Sequence, residues 1–357
     1  MTLQKCAGER LHCLIMILMS FQFLLFAGRL HAQAPFYQGK TLTIINGNEP
    51  GGTADRRMRA VMPFLKKHIP GAPTIVAEYM PGGGGRKVAN HIYSAARPDG
   101  LTLAFPPGGF LTFAVFKETG VNYDINKLIF VGSPESSTQY VFLTRKEVGL
   151  NSLDKLKAST GLRIGAQSVG HTVYIVGRLF AHVLGLKETN FITGYSGPEL
   201  DIVLTRGEID ARANIPDTIL QRSPDFIKKG VVDFHAILEI PKGDKHPQFT
   251  HLPEISDLAG GDLDRKAITL FRSLRLVGSP LILPPGTPKD RVEVLREAFR
   301  KMAADPEFHK EFKKLVGDDP SPLSGDAIEK ALQDLPLEDS VIDFFKQVSG
   351  SGPLPRS

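Results

Sequence analysis

The stretch NGNEPGGTAD at residues 46–55 decides the fold, because it joins a strand-like apolar run directly to a helical pattern. The run occupies residues 42–45, and apolar side chains recur at helical spacing from Met58 to Ile69. Glycine at two successive positions lets a ligand approach the main chain, and the first amides of a helix have no partner within it. The stretch predicts a strand-to-helix turn that suits an anion, although a plain connection would have the same sequence.

The helical pattern after this turn has two faces. Met58, Val61 and Leu65 belong to one apolar stripe, which predicts the buried face. The same spacing places Arg56 and Arg57 on the outer face.

Strand-like runs alternate with helical patterns along most of the chain, which predicts an α/β protein with parallel sheets. The predicted strands are residues 42–45, 74–77, 101–105, 128–132, 140–144, 162–165, 234–238 and 276–283. Residues 287–290 read Thr-Pro-Lys-Asp, which predicts a capping box with proline at the first helical position.

The strand, small-residue turn and helix recur about 120 residues further along the chain, by the numbering of the sequence. Residues 162–165 form the strand-like run, residues 166–172 read AQSVGHT, and a helical stripe follows. Two such turns predict two α/β lobes that offer backbone amides to one cleft. Ligands of open α/β sheets bind beyond the carboxyl ends of the strands, so a small molecule is expected between the lobes.

The N-terminus predicts a secretory signal peptide at residues 1–34, cleaved near Ala34. Lys5 and Arg10 precede an apolar run that is shorter than the roughly 20 residues of a membrane span, so stable membrane insertion of the mature chain is not expected. Both cysteines, Cys6 and Cys13, lie in this segment. The chain carries a net charge of +5 without blocks of like charge, a pattern that excludes an electrostatic footprint for nucleic acid.

Seven motifs in order resemble those of one family, the periplasmic receptors of tripartite tricarboxylate transporters, called the Bug or TctC family. They cover nearly the whole mature chain, and each alone is weak. They are PGG at 50–52 with Asp55 and Arg59, PGGGG at 81–85, RPDGLTL at 97–103, GYSGPE at 194–199, GEID at 207–210, LPEI at 252–255 and PPGTP at 284–288.

The resemblance implies a two-lobed, periplasmic-binding-protein-like (type II) α/β fold that closes on a small organic carboxylate. It implies lobe 1 at residues 35–139 and 239–357 and lobe 2 at residues 140–238. The sequence of residues 349–357 predicts a flexible tail. The implied ligand-binding residues are Pro50, Gly51, Gly52, Thr53, Gly108, Gly109, Ser168, Val169, Gly170, Thr172, Gly197, Pro198, Glu199 and Asn214. Backbone amides and hydroxyls at helix starts can hold a carboxylate without an arginine clamp.

Three positions depart from the family pattern. Glu49 stands where a neutral residue is usual, and we expect its carboxylate to turn outward. Arg86 replaces a common asparagine and could supply a cation near the cleft or a solvated surface charge. Asn214 replaces a frequent aspartate, which makes an amino-acid ligand less expected.

The resemblance implies a monomeric periplasmic receptor that delivers its ligand to membrane permease subunits, without cofactor, metal or catalysis. Two alternatives stay open: a secreted serine hydrolase that uses Ser196 with Asp225 and His235, and a ligand-sensing partner of a signalling protein. His246 and His251 have a poor spacing for zinc and are expected to be solvated.

Overall fold

The structure is a computed structural model that describes residues 34–355. Within that range the chain forms two mixed sheets and thirteen α-helices, arranged as two lobes of a type II fold. The predicted signal peptide lies outside the described residues except for Ala34.

The strands belong to two sheets that do not share a hydrogen-bonded pair among the described residues. In chain order they are β1 Thr41–Asn46, β2 Thr74–Tyr79, β3 Thr102–Phe105, β4 Ile129–Ser133, β5 Tyr140–Arg145, β6 Arg163–Gly165, β7 Asn190–Ile192, β8 Ala211–Asn214, β9 Val232–Leu238, β10 Leu281–Leu283 and β11 Leu323–Ser324. The first sheet has the order β11-β4-β10-β3-β1-β2, and the second has the order β7-β6-β8-β5-β9.

The helices cover the faces of both sheets. They are α1 Thr53–His68, α2 Arg86–Ser94, α3 Gly109–Val115, α4 Leu153–Ala158, α5 Thr172–Val183, α6 Gly197–Thr205, α7 Pro216–Arg222, α8 Asp225–Lys228, α9 Asp262–Leu276, α10 Lys289–Ala303, α11 Pro306–Val316, α12 Gly325–Gln333 and α13 Asp339–Ser349. Short 3₁₀ segments lie at Gly83–Gly85, Lys146–Val148 and Ile255–Leu258.

Helix α1 follows its sequence pattern. Met58, Val61 and Leu65 are fully buried in one apolar cluster with residues of α10 and α11. Burying such a side chain contributes about 1.5–3 kcal/mol relative to leaving it exposed. This packing fixes the N-terminus of α1 at the edge of the first sheet.

Parallel pairing brings the ends of several strands to common edges. β1 is parallel to β2 and β3, so the turns after β1 and β3 leave the first sheet on one side. β6 is parallel to β7 and β8, so the turns after these three strands leave the second sheet on one side. These two edges face each other and form the walls of the cleft.

The C-terminal segment packs on the second sheet's helix α5. The guanidinium of Arg178 donates hydrogen bonds to the carbonyl oxygens of Val348, at 2.6 Å, and Gly352, at 2.8 Å. Tyr174 Oη donates to the carbonyl of Gly350 at 3.0 Å. Residues 349–355, expected to belong to a flexible tail, therefore make specific contacts. The predicted lobe boundaries at residues 139 and 238 stay a prediction.

The expectation of parallel sheets holds only in part, because both sheets are mixed. β5 pairs antiparallel with both β8 and β9, and β10 pairs antiparallel with β3 and β4. β5 follows β4 of the first sheet and β10 follows β9 of the second, so neither strand is reached through a crossover helix from a parallel neighbour within its own sheet, and both are free to run antiparallel.

Some element predictions also differ from the structure. The predicted strand at 276–283 is only β10, because its first apolar residue, Leu276, ends helix α9; a short apolar run does not distinguish a strand from a buried helix end. Strands β7, β8 and β11 have two to four residues each and were not predicted. The capping box at 287–290 is wrong as well: Pro288 is the N-cap of α10, and Thr287 Oγ1 instead donates to the carbonyl of Pro284 at 2.9 Å.

Candidate functional site

A cavity of about 220 Å³ lies between the facing sheet edges. It is lined by the turns after β1 and β3 from one side and by those after β6, β7 and β8 from the other. An apolar cavity of about 150 Å³ accepts benzene, so this one has room for a small organic molecule.

The turn after β1 presents an uncapped helix start to the cavity. Gly52 is the N-cap of α1, in an extended conformation, and no side chain caps it. The amide of Gly51 is already used, since it donates to Asp55 Oδ2 at 2.9 Å. The free amides at this end are therefore those that follow Gly52, beginning at Thr53, where the helix dipole favours an anion.

Asp55 holds this turn in shape. Its carboxylate accepts hydrogen bonds from Gly51, from Tyr79 Oη at 2.7 Å and from Arg59 Nε at 3.0 Å. Burial alone would raise the pKa of Asp55, but these hydrogen bonds together hold it below its ordinary value. Asp55 and Arg59 thus form the expected structural pair at the helix start.

The turn after β6 has a histidine as its cap. His171 is the N-cap of α5, and its Nδ1 accepts a hydrogen bond from the amide of Val173 at 3.2 Å. Burial, together with the charge of Arg275, lowers the pKa of His171 to about 4. The ring is therefore neutral near pH 7, and the proton lies on Nε2 because Nδ1 is an acceptor.

The two lobes touch at three glycines beside the cavity. A Cβ at Gly84 would lie 2.6 Å from the carbonyl carbon of Gly170, and a Cβ at Gly109 would overlap the carbonyl oxygen of Gly170. The backbones therefore approach too closely for any side chain at Gly84 or Gly109.

Half of the predicted site residues reach the cavity. Those that line it are Gly52, Thr53, Gly108, Ser168, Thr172, Gly197 and Asn214. Those that do not are Pro50, Gly51, Gly109, Val169, Gly170, Pro198 and Glu199. Val169 turns its side chain to solvent, and the carboxylate of Glu199 accepts from the amide of Ser196 in a capping box. Contact of any of these residues with a ligand stays a prediction.

Four arginines in the cavity wall were not predicted. They are Arg57, Arg212, Arg222 and Arg275. Arg57 was expected on the outer face of α1, which is wrong: its side chain is buried and lies 2.5 Å from Glu135. Helical spacing assigns every arginine to the polar face. It cannot identify an arginine that is buried because it pairs with a residue from a distant part of the chain.

Arg212 and Arg222 form one network with Asp201. Arg222 Nε lies 2.6 Å from Asp201 Oδ2, and Arg212 pairs with the other carboxylate oxygen. Both guanidinium groups also donate to the carbonyl of Gly197. Burial lowers the pKa of Arg212 to about 10, which still leaves it charged near pH 7. The network places more positive than negative charge behind Gly197.

The remaining charged candidates differ in position. Glu49 is exposed and is the one acid in the cavity wall among residues 34–355. Arg86 does not line the cavity. Its guanidinium lies over the ring of Phe113 at 4.4 Å and donates to the carbonyl of Thr119 at 2.9 Å.

The residues of the hydrolase alternative have other partners. Ser196 Oγ accepts from the amide of Glu199 as the cap of α6. His235 is buried, and its Nε2 lies 2.8 Å from Thr144 Oγ1. In the part of the chain that the structure describes, no hydrogen bond joins Ser196 to a histidine.

The prediction that His246 is solvated is wrong. Its ring is buried, and its Nε2 lies 3.2 Å from Asp217 Oδ1. No group of three or more histidine, aspartate or glutamate side chains within residues 34–355 could hold a metal ion. Over the same range, the helices are all too short or too polar to cross a membrane.

Comparison by sequence found no matching family model and no matching curated protein. Comparison by structure found several similar solved structures, among them the periplasmic binding protein BugD. BugD has a TM-score of 0.68 and 18% identity, over 88% of this chain and 99% of that chain. MatC (Rpa3494) from Rhodopseudomonas palustris with bound malate has a TM-score of 0.64 and 17% identity, over 87% and 99%.

Another neighbour, R. palustris Rpa4515 with adipate, has a TM-score of 0.63 and 16% identity, over 87% of this chain and 97% of that chain. A TctC solute-binding protein from Polaromonas, solved without ligand, has a TM-score of 0.55 and 17% identity, over 87% and 98%. Identities this low establish the fold alone. The chain has the two-lobed type II fold of these neighbours.

Proposed function

We propose that the protein is a periplasmic solute-binding receptor that captures a small organic carboxylate and delivers it to a tripartite tricarboxylate-type transporter. The observation that carries the proposal is the composition of the cavity wall. Four arginines and the uncapped start of α1 line the cavity, where Glu49 is the one carboxylate among residues 34–355. Glu135 and Asp201 compensate part of the arginine charge from outside the cavity wall, which leaves the surroundings of the cavity positive. Such a wall favours an anion and disfavours a cation.

Closure of the lobes explains how the ligand is retained. The turns after β1 and β6 belong to different sheets, so only a closed cleft lets one small molecule contact both. A ligand that makes more contacts in the closed state shifts the population toward it. No residue is required to perform chemistry.

Two structural neighbours support the ligand class. MatC is described with bound malate and Rpa4515 with adipate. Malate and adipate are both small carboxylates. Delivery to membrane permease subunits, periplasmic location and a monomeric state are parts of the proposal that follow from the resemblance. Delivery alone distinguishes the proposal from a sensing role, because a receptor for transport is needed for uptake itself.

A melting-shift screen tests ligand capture. The purified mature chain is heated with a panel of mono-, di- and tricarboxylates and with their amides as uncharged controls. A ligand at 100 times its dissociation constant adds about 2.7 kcal/mol of stability and raises the midpoint by several degrees. We expect the melting midpoint to rise with an acid but not with its amide. If no acid raises the midpoint, the proposal that the ligand is a carboxylate is wrong.

Uptake of the acid so identified tests delivery. Deletion of the gene should abolish uptake by cells, and expression of the full chain should restore it. Normal uptake in the deletion strain, with loss only of a transcriptional response to the acid, would assign the protein to sensing instead.

A further inference from the structure

Arg275 is the cavity arginine with the least local compensation of its charge. It lies in the last turn of α9 and is 5% exposed. Its Nη1 donates to the carbonyl of Gly278 at 3.1 Å, while its Nε has no hydrogen-bond partner. A buried guanidinium with an unpartnered N–H therefore belongs to a residue of the cavity wall.

The other three cavity arginines are paired with carboxylates. Arg57 lies against Glu135, and Arg212 and Arg222 share Asp201. Among residues 34–355, Arg275 forms no ion pair with a carboxylate. A buried charge is strongly unfavourable unless it is paired and hydrogen-bonded. An anion bound beside Arg275 would therefore offset the cost of burying its guanidinium.

The groups around Arg275 leave space for that counter-ion without supplying it. His171 and Tyr140 also line the cavity. Burial and the charge of Arg275 lower the pKa of His171. Burial raises the pKa of Tyr140, and the charge of Arg275 and a side-chain hydrogen bond with it oppose that rise. Burial raises the pKa of Glu135, and the charges of Arg57 and Arg275 oppose that rise. The Glu135 carboxylate, however, lies 2.5 Å from Arg57 and is paired with it. A Cβ at Gly108 would overlap Nη1 of Arg275, so the turn after β3 has glycine where the guanidinium passes.

This region is separate from the helix start of α1. Gly52 lies near Gly197, where a Cβ on Gly197 would be 4.0 Å from the Gly52 Cα and 3.6 Å from Arg222. The environment of Arg275 contains Gly108 and Thr172 instead. The cavity wall thus has two regions that each favour a negative charge.

We infer that Arg275 binds a second carboxylate of the ligand, so that the cleft selects dicarboxylates over monocarboxylates and half-amides. The first carboxylate lies at the start of α1, and the second accepts hydrogen bonds from the guanidinium of Arg275. This inference rests on the proposed function and adds the substrate class. A site built to pair a charged group rejects an analogue that lacks it, because its own buried group is then left unpaired.

The test compares each dicarboxylate with its own half-amide. Succinate, malate, glutarate and adipate and their monoamides are titrated into the mature protein by isothermal calorimetry. The wild-type protein should bind at least one diacid about 10-fold or more tightly than its monoamide. In Arg275→Gln the diacid and its monoamide should bind within about 3-fold of each other.

Arg178→Gln is the matched control. Arg178 is a buried arginine that also donates to backbone carbonyls, but it does not line the cavity. Its variant should keep the wild-type preference for the diacid. If Arg275→Gln does not fold, Gly108→Ala makes the same test, because the new Cβ displaces the guanidinium and should weaken the diacid more than the monoamide.

Retention of the full preference in Arg275→Gln would overturn the inference, and so would equal wild-type affinity for diacid and monoamide. Binding of monocarboxylates alone would overturn it while leaving the proposed function standing. Binding of no carboxylate at all would overturn both.

Discussion

Thr53 Oγ1 lies 2.8 Å from Thr218 Oγ1, and this contact joins the first residue of α1 in one lobe to α7 in the other. A second contact lies beside it, where Arg56 Nη1 donates to Gln221 Oε1 at 2.6 Å. Gln221 Nε2 also donates to the carbonyl of Leu315 at 3.0 Å. The structure therefore shows the cleft with its two walls in direct contact.

These contacts predict that closure can be weakened without unfolding either lobe. Thr218→Val keeps the shape of a buried side chain but removes the hydroxyl that meets Thr53. A net hydrogen bond contributes about 1 kcal/mol, so ligand affinity should fall roughly 5-fold. Calorimetry measures the affinity, and small-angle scattering should show a larger radius of gyration for the ligand-free variant.

Thr269→Val is the control for that experiment, since the hydroxyl of Thr269 donates only within its own helix, to the carbonyl of Arg265. It should leave affinity unchanged. Equal affinity of Thr218→Val and the wild type would show that the contact does not stabilise the closed state.

The helix start of α1 predicts a large effect of charge at position 52. Gly52 has φ of −74° and a Cβ there would meet nothing closer than 3.7 Å, so other residues fit. Aspartate is a good N-cap and should leave the fold intact, but its carboxylate would occupy the site of the anion. We expect Gly52→Asp to weaken ligand binding at least 100-fold in calorimetry.

Gly52→Asn separates charge from size. Asparagine caps a helix about as well as aspartate and has nearly the same shape. Its affinity should therefore fall much less than that of Gly52→Asp. Equal loss in the two variants would mean that space, and not charge, matters at this turn.

Buried histidines predict loss of stability in mild acid. Burial lowers the pKa of His235 to about 4, well below the ordinary value of about 6.5. Between these values the unfolded chain binds a proton that the folded chain does not, so stability falls as the pH drops from 6.5 to 4. The loss from His235 should be about 2.5 kcal/mol by pH 4.5.

His235→Gln keeps a hydrogen-bonding group for Thr144 and removes the titration. Urea unfolding between pH 7 and 4.5 should show a shallower decline for this variant. His251→Gln changes an exposed histidine and should decline like the wild type. Parallel declines in all three proteins would contradict the assignment to His235.

Asp318 predicts an opposite dependence on pH. Burial, with Asp217 nearby, raises the pKa of Asp318 to about 6. Its contribution to stability is present below the unfolded pKa and is lost as the pH rises through 6. Asp318→Asn keeps the acceptor for the amide of Asp319 and should stabilise the protein by about 1 to 2 kcal/mol at pH 7.5.

The gain from Asp318→Asn should shrink as the pH falls from 6 toward 4, and urea midpoints at pH 7.5 and 4 measure it. Asp326→Asn, on an exposed side chain of α12, is the comparison. A gain of equal size at both pH values would exclude ionisation of Asp318 as its cause.

Local sequence signals predicted much of the fold. The turn at Gly51 and Gly52 and the spacing from Met58 to Leu65 are short-range patterns, so both lobes' strand-to-helix units were recognised. Strand β8 reads Ala-Arg-Ala-Asn, without the branched or aromatic residues typical of strands, and it exists because β5 and β6 pair on either side.

The charged part of the cavity could not be predicted in this way. Arg212 turns inward to Asp201 on the neighbouring helix α6, and Arg275 donates to Gly278 and passes the turn at Gly108, which belongs to a distant part of the chain. No local pattern distinguishes such an arginine from a solvated one. The four arginines meet at one cavity only through the packing of the two sheets against each other.

The most direct test of the central claim is calorimetric titration of the mature wild-type protein with the acid that gives the largest melting shift, alongside its uncharged amide. The account predicts one molecule of acid per chain and an affinity at least 100-fold tighter than that of the amide. Absence of measurable binding by the acid, or equal affinity for the amide, would contradict it.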